Sequence, residues 1–502
     1  MNINKILQGI DNLKVKGNLD LDIKGIENYS ENVKEGYLFI AIEGFSTDGH
    51  KYVNNAIEKG AKAVIIQENC DKNLFNIPED VTVIMVENTR KALAICSDNF
   101  FNHPSQKFKL IGITGTKGKT TTSYMIKQIL EKAGKKVGLI GTIACYSNGR
   151  KIEESDRTTP ESLHIQELFN KMIEDKVEYV VMEVSSQSLK LNRVDKCNFD
   201  MVIFTNLSED HISEKEHANM KEYFETKLKL FEMCKVGFVN SDDLYTTKIP
   251  KLFPQSDITT FGIDNFANLL AKDITITNTY VDFKVKLGDR NERVKTGIPG
   301  RFSVYNSLAA ICIAQKIGIS KEIIKEALLE VRVPGRSEMI DNKREIPIMI
   351  DYAHTSESLE NILRAVKSYT KGKVICVFGC GGNRDKQKRP IMGEISGRIA
   401  DETIITSDNP RDEKPEEIIS EIENGIKKTK GKYKIIVDRT KAIKSAIKRA
   451  TKNDIIVLAG KGHETYQEIK GKKYPYDERK VIKEIFEELE KNDRNKKDKK
   501  GE

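Results

Sequence analysis

The run Gly112-Ile113-Thr114-Gly115-Thr116-Lys117-Gly118-Lys119-Thr120-Thr121-Thr122 follows the apolar stretch Lys109-Leu110-Ile111 and opens an amphipathic helical pattern. Residues of these types at a strand-to-helix turn can hold a nucleoside triphosphate. Glycines let the backbone curl so that its N–H groups face phosphate oxygens, and the helix N-terminus adds partial positive charge. Lys119 and Thr120 stand where a terminal phosphate and a magnesium ion would be met, and Gly115, Thr116, Lys117, Gly118 and Thr121 complete the cradle. The spacing departs from G-x-x-x-x-G-K-[ST], because position 113 is isoleucine and the glycines stand at 112, 115 and 118. A chance glycine-rich turn is the alternative; the strand before it and the helix after it speak for ATP.

Later apolar runs end in groups that suit a metal ion. Glu183 closes Tyr179-Val180-Val181-Met182, and a carboxylate emerging there beside a phosphate loop would reach magnesium, although strand-ending acids are also ordinary surface residues. Asn206-Leu207-Ser208-Glu209-Asp210-His211 follows the next apolar run. A strand-end Asp-His near a phosphate loop favours metal binding over a structural histidine. Lys227 comes sixteen residues after His211, inside the helical pattern Met220 to Lys227. By residue type alone it is a solvent-facing helix lysine, and its ammonium would repel magnesium.

Elements that could position these groups alternate between strand and helix almost throughout, the pattern of parallel sheets wrapped by helices. Residues 1–105, with strand candidates Tyr37 to Ile42, Ala63 to Gln67 and Val81 to Val86, read as a small α/β domain. Residues 106–334 read as the nucleotide-binding domain, its strands at Val137 to Gly141, Tyr179 to Glu183, Met201 to Asn206 and Gly237 to Asn240. Alternation between Ile258 and Leu287 predicts antiparallel hairpins. Val333-Pro334-Gly335 marks a linker, and residues 335–490 carry the alternation of a Rossmann-like domain. Residues 491–502 form a charged, frayed tail. Ligands are expected at strand C-terminal ends and in clefts between domains.

The 502 residues carry a formal charge of +8, with 38% hydrophobic and 31% charged side chains, the make-up of a globular protein. Basic residues are interleaved with acids, so no nucleic acid is needed to explain the excess. The longest apolar runs, such as Ile455 to Ala459, fall far short of a bilayer span, and Met1 to Lys5 lack the apolar core of a secretory signal. A cytoplasmic location without a membrane partner is expected. Eight cysteines without a C-x-x-C pair read as buried thiols.

Gly115-Thr116-Lys117-Gly118-Lys119-Thr120 resembles the phosphate loop of the Mur ligases, which add amino acids to the peptide of bacterial cell-wall precursors. Glu183-Val184-Ser185-Ser186 and Asn206 to His211 resemble further motifs of that family, which usually continues the first with His where this chain has Gln187. The resemblance implies a three-domain α/β architecture with a central P-loop ATPase domain and a C-terminal Rossmann-like domain. It implies that His211 binds a second magnesium and that Lys227 is the family's carbamylated lysine, with Lys229 the alternative because the spacing is about two residues longer than usual. Carbamate formation would turn the amine into an oxygen donor suited to a hard cation. Asn306, Arg336 and Asp351 match positions that touch adenine, ribose and phosphates. Thr158 and Thr159, in Arg157-Thr158-Thr159-Pro160-Glu161, match the stretch that meets the muramyl-peptide, with Ser185 and Arg193 nearby. Ser30 matches the serine of an Asp-Ser-Arg that meets uridine diphosphate, but its neighbours here are Tyr29 and Glu31, and a carboxylate beside a diphosphate is unfavourable.

Asp408-Asn409-Pro410-Arg411 resembles the motif of family members that add meso-diaminopimelate rather than L-lysine. Diaminopimelate carries a second carboxylate, which an arginine fork can take in bidentate fashion. Arg384 would take the other carboxylate, and Gly460 and Glu464 would meet the distal ammonium; a type I turn begun by Asp408 is the bland alternative. The implied reaction joins meso-diaminopimelate to the D-glutamyl γ-carboxylate of UDP-N-acetylmuramoyl-L-alanyl-D-glutamate through an acyl phosphate. It uses ATP, two magnesium ions and a carbamate on Lys227, in a monomer with small-molecule partners. An amide ligase of the same scaffold acting on another acid, and a phosphate-loop switch protein, are the rival readings.

Overall fold

A computed structural model describes residues 1–44, 47–71, 75–209, 212 and 216–498, with the side chains of 492–498 left aside. The chain divides into two compact units, residues 1–270 with 308–320, and residues 271–307 with 321–502.

In the first unit, a five-stranded sheet uses Lys14–Lys16, Thr82–Val86, Ala61–Gln67, Tyr37–Ile40 and Gly25–Glu27 in that order, parallel except for the first strand. A nine-stranded sheet follows. Its order is Leu269–Leu270, Asp257–Gly262, Val236–Asn240, Met201–Phe204, Lys109–Thr114, Tyr179–Glu183, Val137–Ile140, Ala144–Ser147 and Arg150–Glu154. Its central strands are apolar because helices cover both faces of a parallel sheet. Leu110, Ile111, Ile113, Val180, Val181, Met182, Val202 and Ile203 are buried. The last two strands form an antiparallel hairpin around Asn148-Gly149, both residues with positive φ, the pairing a two-residue primed turn requires.

Asp257–Gly262, expected to start an antiparallel hairpin, is a parallel strand near the edge of this sheet. Its threonines are half-exposed there, so an alternating pattern arises without a hairpin. The expected antiparallel hairpins lie in the second unit, where Lys272–Ile276 pairs antiparallel with Val281–Leu287, and that strand in turn with Arg290–Thr296.

The second unit also contains a six-stranded sheet in the order Glu338–Met339, Ile348–Asp351, Ile455–Ala459, Val374–Phe378, Glu402–Ile405 and Tyr433–Ile435. Only its first strand is antiparallel. The helix Ser356–Tyr369 starts at a capping box in which Thr355 and Ser358 satisfy each other's backbone N–H groups, which fixes the chain reversal after Asp351. A small hairpin, Tyr466–Ile469 with Lys472–Pro475, turns on Lys470 and Gly471. The closing helix Glu478–Asp498 runs through residues 491–498, where a frayed tail was expected. All eight cysteines are free, and six are buried. Among the described residues no helix is long and apolar enough to cross a membrane.

Candidate active site

Strand register brings the first group together. Glu183 pairs with Ile113 and Phe204 with Thr114, so three parallel strands end side by side and release their following segments at one edge. The phosphate loop is laid directly on one of these segments. Thr116 N donates to Asn206 O at 2.9 Å, Lys117 N to Asn206 Oδ1 at 3.0 Å, and Asn206 Nδ2 to Lys117 O at 3.0 Å. Thr205 Oγ1 donates to Lys117 O at 2.7 Å. Gly115 has φ +139°, and a Cβ there would lie 2.0 Å from Thr205 Oγ1, so only glycine fits the approach. Gly118, also at positive φ, caps the helix Lys119–Lys132, and Thr120 and Thr121 are buried in its first turn. Lys119 Nζ lies across the loop, donating to Gly115 O at 2.8 Å and Thr116 O at 3.1 Å.

Glu183 is fully buried. Its Oε2 accepts from Thr120 Oγ1 at 2.8 Å and Thr142 Oγ1 at 2.9 Å, and its Oε1 accepts from Thr142 N at 3.1 Å. A Cβ on Gly141 would stand 2.2 Å from Oε1. Thr142, which sequence reasoning missed, therefore aims the carboxylate, and its hydroxyl reaches Thr158 Oγ1 at 3.1 Å. Next to it, Thr159 Oγ1 donates to Glu183 O at 2.9 Å and accepts from Ser185 N at 3.1 Å. Ser185 caps the helix Ser186–Lys190, while Gln187 is half-exposed in its first turn. Arg193 donates to Thr159 O at 3.2 Å and pairs with Glu161 at 2.8 Å. Arg90 and Arg157 converge on the same Glu161 carboxylate at 3.3 and 3.2 Å. Arg90 and Glu161 had no expected role, although Glu161 closes the stretch Arg157-Thr158-Thr159-Pro160-Glu161.

Lys227 is only 1% exposed, which corrects the solvent-facing reading. Its Nζ donates to Gly115 O at 3.1 Å, reaches Thr114 Oγ1 at 3.4 Å, and lies 4.8 Å above the Tyr223 ring. Tyr223 OH in turn meets Thr116 Oγ1 at 3.3 Å. Lys229, the alternative, is exposed, so of the two only Lys227 is buried against the phosphate loop. Asp210 and His211 lie outside the described residues. Ser30 is buried in the first sheet's domain. Glu31 there pairs with Lys59 at 2.9 Å, so the carboxylate expected to oppose a diphosphate carries its own counter-ion.

The second unit holds the remaining candidates. Asp351 ends its strand with Oδ2 accepting from Ser337 N at 2.7 Å and Oδ1 from Ala353 N at 2.9 Å; burial pushes its carboxyl above the ordinary value. The Arg336 guanidinium lies 4.9 Å from the Tyr352 ring centre, a stacked pair of the kind that suits a planar base. Asn306 is buried on the helix Arg301–Ile317.

Asp408 and Asn409 stand at the end of Glu402–Ile405, facing the Gly460 to Glu464 loop that follows Ile455–Ala459. Asp408 Oδ2 is so close to Gly460 that a Cβ would meet it at 2.6 Å. Asn409 Nδ2 donates to Glu464 Oε2 at 2.8 Å. Between them lies Lys461, wholly buried, with Nζ 3.1 Å from Asn409 Oδ1, 3.1 Å from Glu464 Oε2 and 3.6 Å from Asp408 Oδ1. Glu464 thus already meets an ammonium from its own loop. Arg411 Nε donates to Glu468 Oε2 at 2.9 Å and Nη1 to Gly382 O at 2.8 Å. Arg384 is exposed on the facing turn, near Gly381. Arg389, fully buried, ties that turn down through Glu413 and Glu421.

A glycine-rich loop opening a helix and a buried carboxylate reaching its threonine are the parts of a nucleotide-dependent enzyme, and a separate cluster of charge stands on a second sheet. Family models match in three blocks: "Mur ligase family, catalytic domain" over residues 22–101, "Mur ligase middle domain" over 113–314 and "Mur ligase, glutamate ligase domain" over 335–462. The UDP-N-acetylmuramoyl-L-alanyl-D-glutamate--2,6-diaminopimelate ligase of Caldanaerobacter subterraneus subsp. tengcongensis is 49% identical, covering 98% of this chain and 100% of that one. The protein of the same name from Clostridium tetani is 44% identical over 97% of this chain and 100% of its own. A solved structure of a ligase of that name superimposes with a TM-score of 0.70 at 26% identity, covering 96% of this chain and 99% of that one. MurF ligase from Thermotoga maritima in complex with ADP shares the fold, with a TM-score of 0.61 at 19% identity over 93% of this chain and 98% of that one. The chain belongs to the Mur ligase family and is an ATP-dependent ligase with small-molecule substrates that requires magnesium.

Proposed function

We propose that this enzyme joins meso-2,6-diaminopimelate to the D-glutamyl γ-carboxylate of UDP-N-acetylmuramoyl-L-alanyl-D-glutamate, in the cytoplasm, as a step of peptidoglycan precursor synthesis. The relatives' names support the substrates. The observation that carries the reading is Arg411 joined through Glu468 to Asn409 and its neighbours Lys461 and Glu464, a charge pattern that suits an amino acid with carboxylate and ammonium at its far end.

Residues 1–105 would bind the uridine nucleotide around Ser30, residues 106–334 would bind ATP, and residues 335–490 the amino acid. Gly115 to Thr121 would cradle the triphosphate, with Lys119 leaving its loop carbonyls for the γ-phosphate and with Asn306, Arg336 and Asp351 on the nucleoside and phosphates. Thr158, Thr159, Ser185 and Arg193 would hold the muramyl-peptide so that its γ-carboxylate faces that phosphate. An oxygen of the γ-carboxylate attacks phosphorus, ADP leaves, and the diaminopimelate amine then adds to the acyl carbon. The tetrahedral intermediate loses inorganic phosphate and a proton to give the amide. Arg384, Arg411, Gly460 and Glu464 would orient the amine.

The donor set fits magnesium. Glu183 and Thr120 present a buried carboxylate oxygen and a hydroxyl 2.8 Å apart, and Mg²⁺ is commonly held by one or two carboxylates with substrate phosphates completing its shell. Bound there, it would neutralise charge on the transferring phosphoryl group. His211 and a carbamate on Lys227 are proposed for a second ion; the burial of Nζ beside Gly115 O suits a residue aimed at the loop.

The test measures phosphate release from ATP and magnesium with UDP-N-acetylmuramoyl-L-alanyl-D-glutamate, adding meso-diaminopimelate or L-lysine in parallel. Tripeptide product with diaminopimelate alone is expected. Turnover with lysine instead would overturn the specificity, and no turnover with either from folded, ATP-binding protein would point to a ligase for another acid.

A further inference from the structure

The Arg411 side chain is held by a residue that no motif includes. Its backbone is locked first: Arg411 N donates to Glu468 O at 3.0 Å, Lys470 N donates to Arg411 O at 2.9 Å, and the residue forms a bridge with Ile469. It keeps φ +51°, a conformation that a non-glycine residue adopts only when its surroundings impose it. Only the side chain remains to be placed. Glu468 Oε2 takes Nε at 2.9 Å and Gly382 O takes one proton of Nη1 at 2.8 Å.

A guanidinium offers two edges to a carboxylate, one through Nε and Nη2, the other through Nη1 and Nη2. With Glu468 on Nε, the first edge is taken. The second faces the Gly381 turn, since a Cβ on Gly381 would stand 3.0 Å from Arg411 Nη1 and 3.9 Å from Arg384 Cγ. Nη1 of Arg411 and the stem of Arg384 therefore border the same turn. Glu468 is itself tied to the same network, its N–H donating to Asn409 Oδ1 at 3.0 Å, the atom that also receives Lys461 Nζ.

We propose that Glu468 is a positioning residue for amino-acid specificity: by holding Nε of Arg411 it presents the Nη1/Nη2 edge, beside Arg384, to the distal carboxylate of the incoming amino acid. The inference rests on the diaminopimelate reading above. Glu468 also screens the Arg411 charge, so an anion gains from this arginine chiefly through two-point geometry, which a ligand lacking the distal carboxylate does not supply.

The test compares steady-state kinetics of the full-length enzyme with Glu468→Ala and Glu468→Gln. Loss of the clamp in Glu468→Ala is expected to raise KM for meso-diaminopimelate ~10-fold, with kcat and the KM for ATP changed less than about 2-fold. Glu468→Gln retains a carbonyl that accepts from Nε and should return to within about 3-fold of wild type. In an Arg411→Ala background, Glu468→Ala should have no further effect on that KM, as expected of a residue acting only through Arg411. An unchanged KM in Glu468→Ala overturns the proposal. A lowered KM does so too, because it would make Glu468 a competitor of the substrate, and so does an equal rise in both KM values. Wild-type enzyme inactive with diaminopimelate would fail the functional reading itself, before any variant is compared.

Discussion

Glu183→Gln should separate folding from turnover. Oε1 accepts from the Thr142 N–H at 3.1 Å, so the carboxamide must put its carbonyl there and its NH2 where Oε2 now meets Thr120 and Thr142 hydroxyls at 2.8 and 2.9 Å. Both hydroxyls can turn to accept. Thr142 can pass its own proton to Thr158 Oγ1 at 3.1 Å, but the Thr120 proton is left with Thr142 Oγ1 at 3.5 Å, a poor partner. One weakened buried hydrogen bond costs about 1 kcal/mol. Turnover answers to a different quantity. An amide NH2 is a donor and cannot ligate magnesium, so the charge that neutralises the phosphoryl group is lost, an effect of ~10³-fold, or about 4 kcal/mol. Urea unfolding and phosphate release, measured on the same preparation, should therefore show a stability change about a quarter of the activation penalty. A variant that folds normally and turns over within about 10-fold of wild type would refute the assignment and make Glu183 a structural carboxylate.

Lys227→Met should keep the fold, since its neighbours on that helix face are Tyr223, Phe224, Leu230 and Phe231, yet lower turnover ~10³-fold. Stripping carbon dioxide should slow the wild type and bicarbonate restore it; indifference to both would sink the carbamate. Glu161→Gln removes the one carboxylate on which Arg90, Arg157 and Arg193 converge. Loss of this partly buried counter-charge should destabilise by about 2 kcal/mol in urea unfolding and raise KM for the uridine nucleotide substrate, while an unaltered midpoint would show that the arginines do not need it. Arg389 beside Glu413 holds that carboxyl down at about 2, below its ordinary value of 4.5. Because the folded-state value is the lower one, the contribution is complete above pH 4.5 and is lost as pH falls toward 2. Stability of Glu413→Gln should thus fall less steeply than wild type across that window, and parallel curves would contradict the assignment.

What the sequence could disclose follows from where each signal is stored. The phosphate loop and the strand ends at Glu183 and Asp351 are local: buried parallel strands read as unbroken apolar runs, Val180 to Met182 or Ile455 to Ala459, and the groups that follow them must emerge at one sheet edge. Edge strands carry no such run, which is why parallel Asp257–Gly262 is not told apart from the antiparallel strands that follow it at Lys272–Ile276 and Val281–Leu287. Lys227 shows a middle case. Its neighbours Lys221 and Lys229 have the same chemistry, yet Tyr223, Phe224, Lys227, Leu230 and Phe231 fall at helical spacing on one face, so the periodicity alone could have preferred it to Lys229. Thr142 and Glu468 lie at the other extreme. One aims Glu183 from 41 residues away and the other holds Arg411 from 57, across strands whose adjacency only the folded sheet determines. Motif residues touch ligands and so recur as strings, whereas the residues that aim them are chosen by contact through space. A reading confined to motifs will therefore find the candidate groups and miss those that set their direction, and in this enzyme the second kind stands behind both the proposed phosphate site and the proposed amino-acid site.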